Sequence, residues 1–311
     1  MPDNVAGYSP PGGRLPASHW PNPTATIRWS RTPAAAAAAS QTIGGPVGGL
    51  GGWLRPLIGL RQPAAGAQDR RVNETWMLDE LAHAGPEHLD AGFIAGFDRK
   101  QGYPDAEADI AAFEAHGLGP ASVIIDFGAG TGQFAIPAAR RFGRVIAVDV
   151  SPGMLEAIAA KAAAGAKASG ATPPAPECAP GGFLSYAAAE PVDGVYTRHA
   201  LHQLPDFWKA IALRRIADML RPGGMLRLRD LVYDFQPDEA AGIFDGWLED
   251  AAEDPAAGYT AADYAEHIRT EHSTFRWLLE PMLAAAGLDI AEVGYDGRLY
   301  AVYTCVKAAN G

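Results

Sequence analysis

The run Val123-Ile124-Ile125-Asp126-Phe127-Gly128-Ala129-Gly130-Thr131-Gly132, followed by Val145-Ile146-Ala147-Val148-Asp149, leaves this chain few folds to choose from. An apolar strand enters a glycine turn, a helix follows, and a second apolar strand ends in a carboxylate about 20 residues beyond the first glycine, as a nucleoside-binding βαβ unit requires. At the glycines the backbone itself can touch a ligand. Asp149, at the carboxyl end of the second strand, is predicted to face the open edge of an α/β sheet, where its two oxygens can accept hydrogen bonds from both ribose hydroxyls.

Glycine spacing separates the possible ligands. A dinucleotide fingerprint needs glycine at the positions of Gly128, Gly130 and Gln133, the last so that the helix packs close beneath a pyrophosphate. Gln133 fails that requirement, which disfavours a nicotinamide-dependent oxidoreductase. The glycines present, Gly128, Gly130 and Gly132, form G-x-G-x-G, with Asp126 two residues before the first. A carboxylate there repels a pyrophosphate and attracts an ammonium. S-adenosylmethionine (SAM), which leaves as S-adenosylhomocysteine (SAH), suits that charge pattern.

Beyond the loop lie A-V-D-V-S-P-G-M-L (147–155), V-Y-T-R-H-A-L-H-Q-L-P-D (195–206) and L-R-P-G-G-M-L-R-L (220–228). With these, residues 73–308 resemble the class I SAM-dependent methyltransferases, particularly the small-molecule group typified by quinone-biosynthesis enzymes. The resemblance implies a doubly wound, Rossmann-like seven-stranded sheet of order 3-2-1-4-5-7-6 with the last strand antiparallel. N-terminal helices and a helical insert after strand five, about 237–272, complete it. It also implies that Gly128, Ala129 and Gly130 line the methionine and ribose, that Asp149 takes the ribose hydroxyls, and that Val150 and Met154 flank the adenine. Family members often carry an acid after strand three. Here Gly181-Gly182-Phe183 stands there, so adenine recognition is expected to rest on backbone groups of Gly182 and Phe183.

The remaining pattern fits that order. Helices are expected at Asn73–Ala82, Glu87–Lys100 and Ala106–His116, then a strand from Ser122 to Phe127. Helix Gln133–Phe142 carries Pro137, tolerable only near its first turns. Strand Val145–Val150 leads through Ser151-Pro152 into an alanine-rich helix to about Ala168. The prolines between Pro173 and Pro180 are hostile to a sheet interior and acceptable on an edge. Strand Gly194–Arg198, helix Asp206–Leu220 stopped by Arg221-Pro222-Gly223-Gly224, and strand Met225–Tyr233 follow. Helices are then expected at Pro237–Ala251, Ala261–Glu271 and Thr274–Ala286, and Asp296-Gly297 joins two closing strands in a hairpin.

Methyl transfer from a sulfonium mainly requires alignment, and good alignment contributes roughly 7 to 11 kcal/mol. Ligands of open α/β sheets sit beyond the strand carboxyl ends, which points to Thr197, Arg198, His199 and His202 after strand four, and to Asp230 and Tyr233 on strand five. Either His199 or His202 is a candidate base for an acidic hydroxyl. Arg227 and Arg229 stand where both sheet faces should be covered, so they are expected to pair with acids, Arg229 alternatively with an acceptor carboxylate. Phe97, Tyr103 and Trp247 are candidate walls of an acceptor chamber. No ligand cluster has the usual metal spacing, so no metal is expected.

Residues 1–70 read as a disordered Pro/Ala/Gly-rich tail and 71–311 as the methyltransferase domain. The first 67 residues carry Asp3 as sole acid against five arginines. Setting their +4 aside from the total of −11 leaves about −15 on the rest, unsuited to nucleic acid. Val47–Leu60 is short, glycine-rich and interrupted by Arg55, so no membrane span is expected. Cys178 and Cys305 read as reduced thiols, and the location as cytoplasmic. The small-molecule acceptor and the oligomeric state have no signature in the sequence. A non-catalytic SAM-binding regulator would keep the same cofactor residues.

Overall fold

In the computed structural model the described residues are 26–28, 76–102, 104–169 and 174–309. The chain divides into two units, Met1–Arg28 with Leu78–Gly311, and Trp29–Met77. The second lies almost wholly outside the described residues. So does the predicted tail apart from Thr26–Arg28, and so do Tyr103 and the start of the helix expected at Asn73.

The strands are β1 (Thr26–Arg28), β2 (Val123–Phe127), β3 (Arg144–Asp149), β4 (Glu177–Pro180), β5 (Val192–Arg198), β6 (Leu220–Tyr233), β7 (Thr274–Phe275), β8 (Leu288–Asp296) and β9 (Tyr300–Lys307). They lie in the order β1-β8-β9-β6-β5-β2-β3-β4, with β7 beside β6. Neighbours from β4 to β6 are parallel, while β9 is antiparallel to both β6 and β8. The seven expected strands thus hold the expected order, and β1 and β7 extend the sheet beyond seven. β1 adds an antiparallel strand along β8.

The helices are α1 (Glu80–His83), α2 (Ala91–Lys100), α3 (Glu107–Ala115), α4 (Ala135–Ala138), α5 (Pro152–Ser169), α6 (Asp206–Met219), α7 (Ala240–Glu249), α8 (Ala261–Thr270) and α9 (Arg276–Ala285). α4 is far shorter than the sequence suggests, because the glycine turn delays its start and Pro137 cannot donate a helical hydrogen bond. The helix expected over Glu87–Lys100 is split at Asp90 into a 3-10 turn, Pro86–Leu89, and α2, and Thr274-Phe275, expected to open a helix, pairs with β6 as β7 before α9 starts. A further departure is at Arg221–Gly224. α6 ends at Met219, because Leu220, the expected last helical residue, already pairs with Val192, and the next four residues bulge out before Met225 pairs with Gly194. Gly223, at φ 77°, makes that bulge possible.

Strand order reverses at β2, which has β3 on one side and β5 on the other; ligands of such sheets sit in the crevice at that switch. Ile124, Ile125, Phe127, Val148, Leu226 and Leu228 are fully buried, as a sheet covered on both faces demands. Arg227 and Arg229 are accommodated by one acid. Arg227 Nε and Arg229 Nη1 each lie 2.9 Å from Asp109 of α3, which is itself fully buried and accepts a 3.0 Å bond from the Tyr196 hydroxyl. The edge position of β4 explains how Pro180 is borne. Cys178 on that edge is exposed and Cys305 buried; both are free thiols. Among the described residues no helix is long and apolar enough to cross a membrane.

Candidate active site

A cavity of about 560 Å³ opens at the carboxyl ends of β2, β3 and β5. Gly128, Gly130 and Gly132 all take positive φ, at 65°, 52° and 85°, so the chain reverses without a side chain in the way. A Cβ on Gly128 would overlap the Ala200 methyl. Asp149 ties the turn to β3: its Oδ2 accepts from Gly130 N at 2.8 Å and its Oδ1 from Ser151 N at 2.8 Å. Each oxygen keeps a second lone pair for a ligand hydroxyl. Asp126 is 2 % exposed, lines the cavity, and has an Oδ2 without a hydrogen-bond partner. Burial, then the neighbouring Asp149 charge, pushes its pKa well above the ordinary value. Leaving such an oxygen unsatisfied is costly, and a cation or donor entering the cavity would relieve it.

The N-terminal helices close this end. Phe97 of α2 sits where a Cβ on Gly130 would come within 3.3 Å of its ring. The next residue, Asp98, accepts from Thr131 Oγ1, Lys161 Nζ and, at 3.1 Å, Gln133 Nε2. Gln133, the residue that breaks a dinucleotide fingerprint, therefore fastens the lid helix to the glycine turn. Glu80 of α1 accepts from Leu184 N at 3.0 Å and Ser185 Oγ at 2.8 Å, beside Gly182. Burial raises its pKa against those bonds. Gly182 and Phe183 line the cavity, but Gly182 N already donates to Ser185 Oγ at 2.9 Å and Phe183 O accepts from Arg215 Nε at 2.9 Å. Both of those backbone groups thus have partners within the chain.

At the other end His199 and His202 both line the cavity. His199 adopts φ 49°, rare for a residue with a side chain. Burial, and then the charge of Arg198, drives its pKa well below the ordinary value, so the ring is neutral. His202 is the opposite. Burial would lower its pKa, but Asp230 and Glu271 outweigh that and raise it to about 10. Its Nδ1 lies 2.5 Å from Asp230 Oδ1 and its Nε2 2.8 Å from Glu271 Oε2. Glu271 Oε2 also lies 2.6 Å from His267 Nδ1. Burial works against its ionisation, yet the two rings hold this carboxyl well below the usual range. Trp247 stacks on Tyr264 at 4.2 Å and meets the edges of His267 and Tyr300, forming an aromatic wall.

Of the residues singled out in the sequence, the cavity gathers Asp126, Gly128, Ala129, Gly130, Asp149, Val150, Gly182, Phe183, Arg198, His199 and His202, with Phe97 and Trp247. Gly132, Met154 and Thr197 do not line it. A Cβ on Gly132 would press on Ile136 and Ile158, Met154 is a core residue, and Thr197 is fully buried. Arg229 is also outside the lining and is held by Asp109. Glu80, Tyr264, His267, Glu271 and Tyr300 join the site without having been singled out. The one available signal was the four-residue spacing of His267 and Glu271 on a helix.

Strand order and crevice are those of the Rossmann-like methyltransferase fold. Within it, residues 124–224 match the family described as "Methyltransferase domain". No curated protein matches the chain. Among solved structures, magnesium protoporphyrin IX methyltransferase from Synechocystis with bound SAM is similar, at TM-score 0.51 and 16 % identity over 75 % of this chain and 99 % of that one. So is the Haloferax volcanii complex of the Trm112 methyltransferase activator with a methyltransferase, at 0.50 and 16 % over 74 % and 98 %. The cyclopropane synthase MmaA2 of Mycobacterium tuberculosis follows at 0.49 and 14 % over 64 % and 83 %. At these identities the likeness is one of fold.

Proposed function

We propose that this chain binds SAM and transfers its methyl group to a small-molecule acceptor. The observation that carries the reading is the orphaned, buried Oδ2 of Asp126 on the wall of a cavity framed by the glycine turn and Asp149. When bound, SAM supplies a methyl group made electrophilic by a sulfonium. Asp126 would face its ammonium, the spare lone pairs of Asp149 its ribose hydroxyls, and the main chain of Gly128 to Gly130 the groups between. Phe97 and the Asp98 tether would keep water from that end.

At the acceptor end, His202 is an imidazolium held between two acids and cannot accept a proton in that form. His199 is neutral, so of the two histidines it is the candidate base, a role worth about 10²- to 10⁴-fold where the acceptor must lose a proton. Residues 71–311 form the catalytic domain, and the helices between 237 and 272 supply the acceptor wall. Calorimetry with SAM and SAH, followed by a product-release assay over an acceptor panel, tests the reading. Binding of both with release of SAH for one acceptor is expected. Absence of SAM binding overturns it, and binding without product for any acceptor favours a regulator.

A further inference from the structure

We propose that His202, His267 and Glu271 bind one divalent transition-metal ion at the acceptor end of the cavity. His202 stands on the 3-10 turn Leu201–Gln203 after β5, whereas His267 and Glu271 lie one helical turn apart at the end of α8. The fold brings one ligand atom of each within 4.8 Å of the others.

Each ring is aimed from behind. His202 Nδ1 is held 2.5 Å from Asp230 Oδ1, and that carboxylate is fixed in turn by Leu231 N at 2.8 Å and His202 N at 3.1 Å. His267 Nε2 lies 2.8 Å from Ser273 Oγ. An outer partner on one ring nitrogen, with the other nitrogen turned to a shared point, is how metal-binding histidines are built. Glu271 Oε2 is buried and lies 2.8 and 2.6 Å from the two inward nitrogens, yet it forms no hydrogen bond of acceptable direction. The three groups converge on common space more than they bond to one another. Ligand atoms about 2.1 Å from one ion stand about 3.0 Å apart at octahedral angles and about 3.4 Å apart at tetrahedral ones, so these two contacts would open by roughly 0.2 to 0.8 Å on binding.

The chemistry of the donors selects the ion. Two imidazoles with one carboxylate suit zinc, iron(II) or manganese(II) and leave coordination positions vacant, whereas magnesium and calcium favour all-oxygen sets. Charge points the same way. Asp230 and Glu271 bring two negative charges, and a divalent ion that displaces the His202 ring proton to solvent, leaving both rings neutral, balances them. Lys209, which donates to His272 O beside Glu271, is engaged by Asp206 at 2.8 Å. All three ligands line the cavity, so an acceptor oxygen could take a vacant position and lose its proton to solvent more readily. That role rests on the methyl-transfer reading; the ion site does not.

The test uses the full chain, stripped with a chelator and titrated with Co²⁺ while its visible absorption is followed, with SAH calorimetry and thermal melting in parallel. Saturation at about one Co²⁺ per chain, and its displacement by Zn²⁺, are expected. Glu271→Gln and His267→Ala should each weaken uptake by at least about 100-fold, and Asp230→Asn by about 10- to 100-fold, with SAH affinity and melting retained in Glu271→Gln. No saturable Co²⁺ uptake by the wild type, or equal uptake by Glu271→Gln and His267→Ala, overturns the proposal. If SAH fails to bind while Co²⁺ does, the methyl-transfer reading falls and the ion site stands.

Discussion

The two ends of the cavity are built by opposite means. The end we propose for the cofactor is built around one stretch of main chain and two carboxylates: Asp126 to Gly130 and Asp149 come from one βαβ unit, and the Asp149 carboxylate ties its turn to its second strand. The acceptor end is all side chain and drawn from far apart: His199 and His202 after β5, Asp230 on β6, Trp247 on α7, His267 and Glu271 on α8, Tyr300 on β9. Backbone geometry makes the first end tolerant of sequence change but intolerant of added atoms. The second can be retuned one side chain at a time, as a scaffold serving varied acceptors requires.

The largest expected loss comes from Asp109, whose partners Arg227, Arg229 and Tyr196 stand on the two strands, β5 and β6, that lead into the cavity. Asp109→Ala would leave Arg227 and Arg229 buried without their carboxylate, a loss of about 3–5 kcal/mol measured by urea unfolding. Cofactor and acceptor ends should fail together; a milder loss confined to one end would mean that β5 and β6 do not support both. The two guanidinium groups outweigh the burial that opposes Asp109 ionisation, so its folded pKa lies below the ordinary 3.8. Its stabilisation is therefore complete above that value and fades as pH falls through the lowered folded pKa.

Next in size, Asp149→Ala should separate the ends. It removes the acceptor for Gly130 N and Ser151 N and, on the proposed reading, the two ribose contacts, which should weaken SAH binding about 100-fold or more at charged-group hydrogen-bond strengths. The spacing around His202, Asp230 and Glu271 should stay intact, checked by the chemical shifts of the histidine rings. Unchanged SAH affinity would remove Asp149 from the site.

How far each end could be read in the sequence follows from the same difference. Asp126, the glycines and Asp149 are local in sequence, and their spacing alone stated the βαβ unit and the charge that disfavours a pyrophosphate. Gln133 could be read as a broken fingerprint, but not as the tether to Asp98, because that contact spans 35 residues. The sheet order was legible through a resemblance, and β1 and β7 were not, since pieces of three and two residues carry no period. The pairing of both arginines with an acid was legible from their placement on a covered strand; that one acid serves both needed α3 in place. His267 and Glu271 had only their helical spacing, which marks an ordinary surface pair as often as a site. His202 drew attention for its place after strand four, but not as an imidazolium, because Asp230 and Glu271 lie 28 and 69 positions along the chain.

A smaller effect concerns pH at the cofactor end. With its pKa raised above 3.8 by burial and by Asp149, Asp126 stabilises the ligand-free fold fully below that value, and this contribution is lost as pH rises through the folded pKa. An ammonium reverses the preference by favouring the carboxylate. SAH affinity should therefore increase with pH across that window, and Asp126→Asn should flatten the dependence. A wild-type profile as flat as the variant's would place the ammonium elsewhere.

The smallest expected effect tests the acceptor end alone. Trp247 contributes a stacked face to Tyr264 at 4.2 Å and edges toward His267 and Tyr300, contacts worth about 0.5–1.5 kcal/mol each pair beyond simple burial. Trp247→Leu keeps apolar bulk and removes the ring. If this wall positions the acceptor, its KM should rise about 3- to 10-fold, equivalent to about 1 kcal/mol of lost binding, with SAH affinity unaltered. A matched fall in SAH affinity would mean that the aromatic wall also shapes the cofactor pocket, and the two ends would then be one site built from both main chain and side chains.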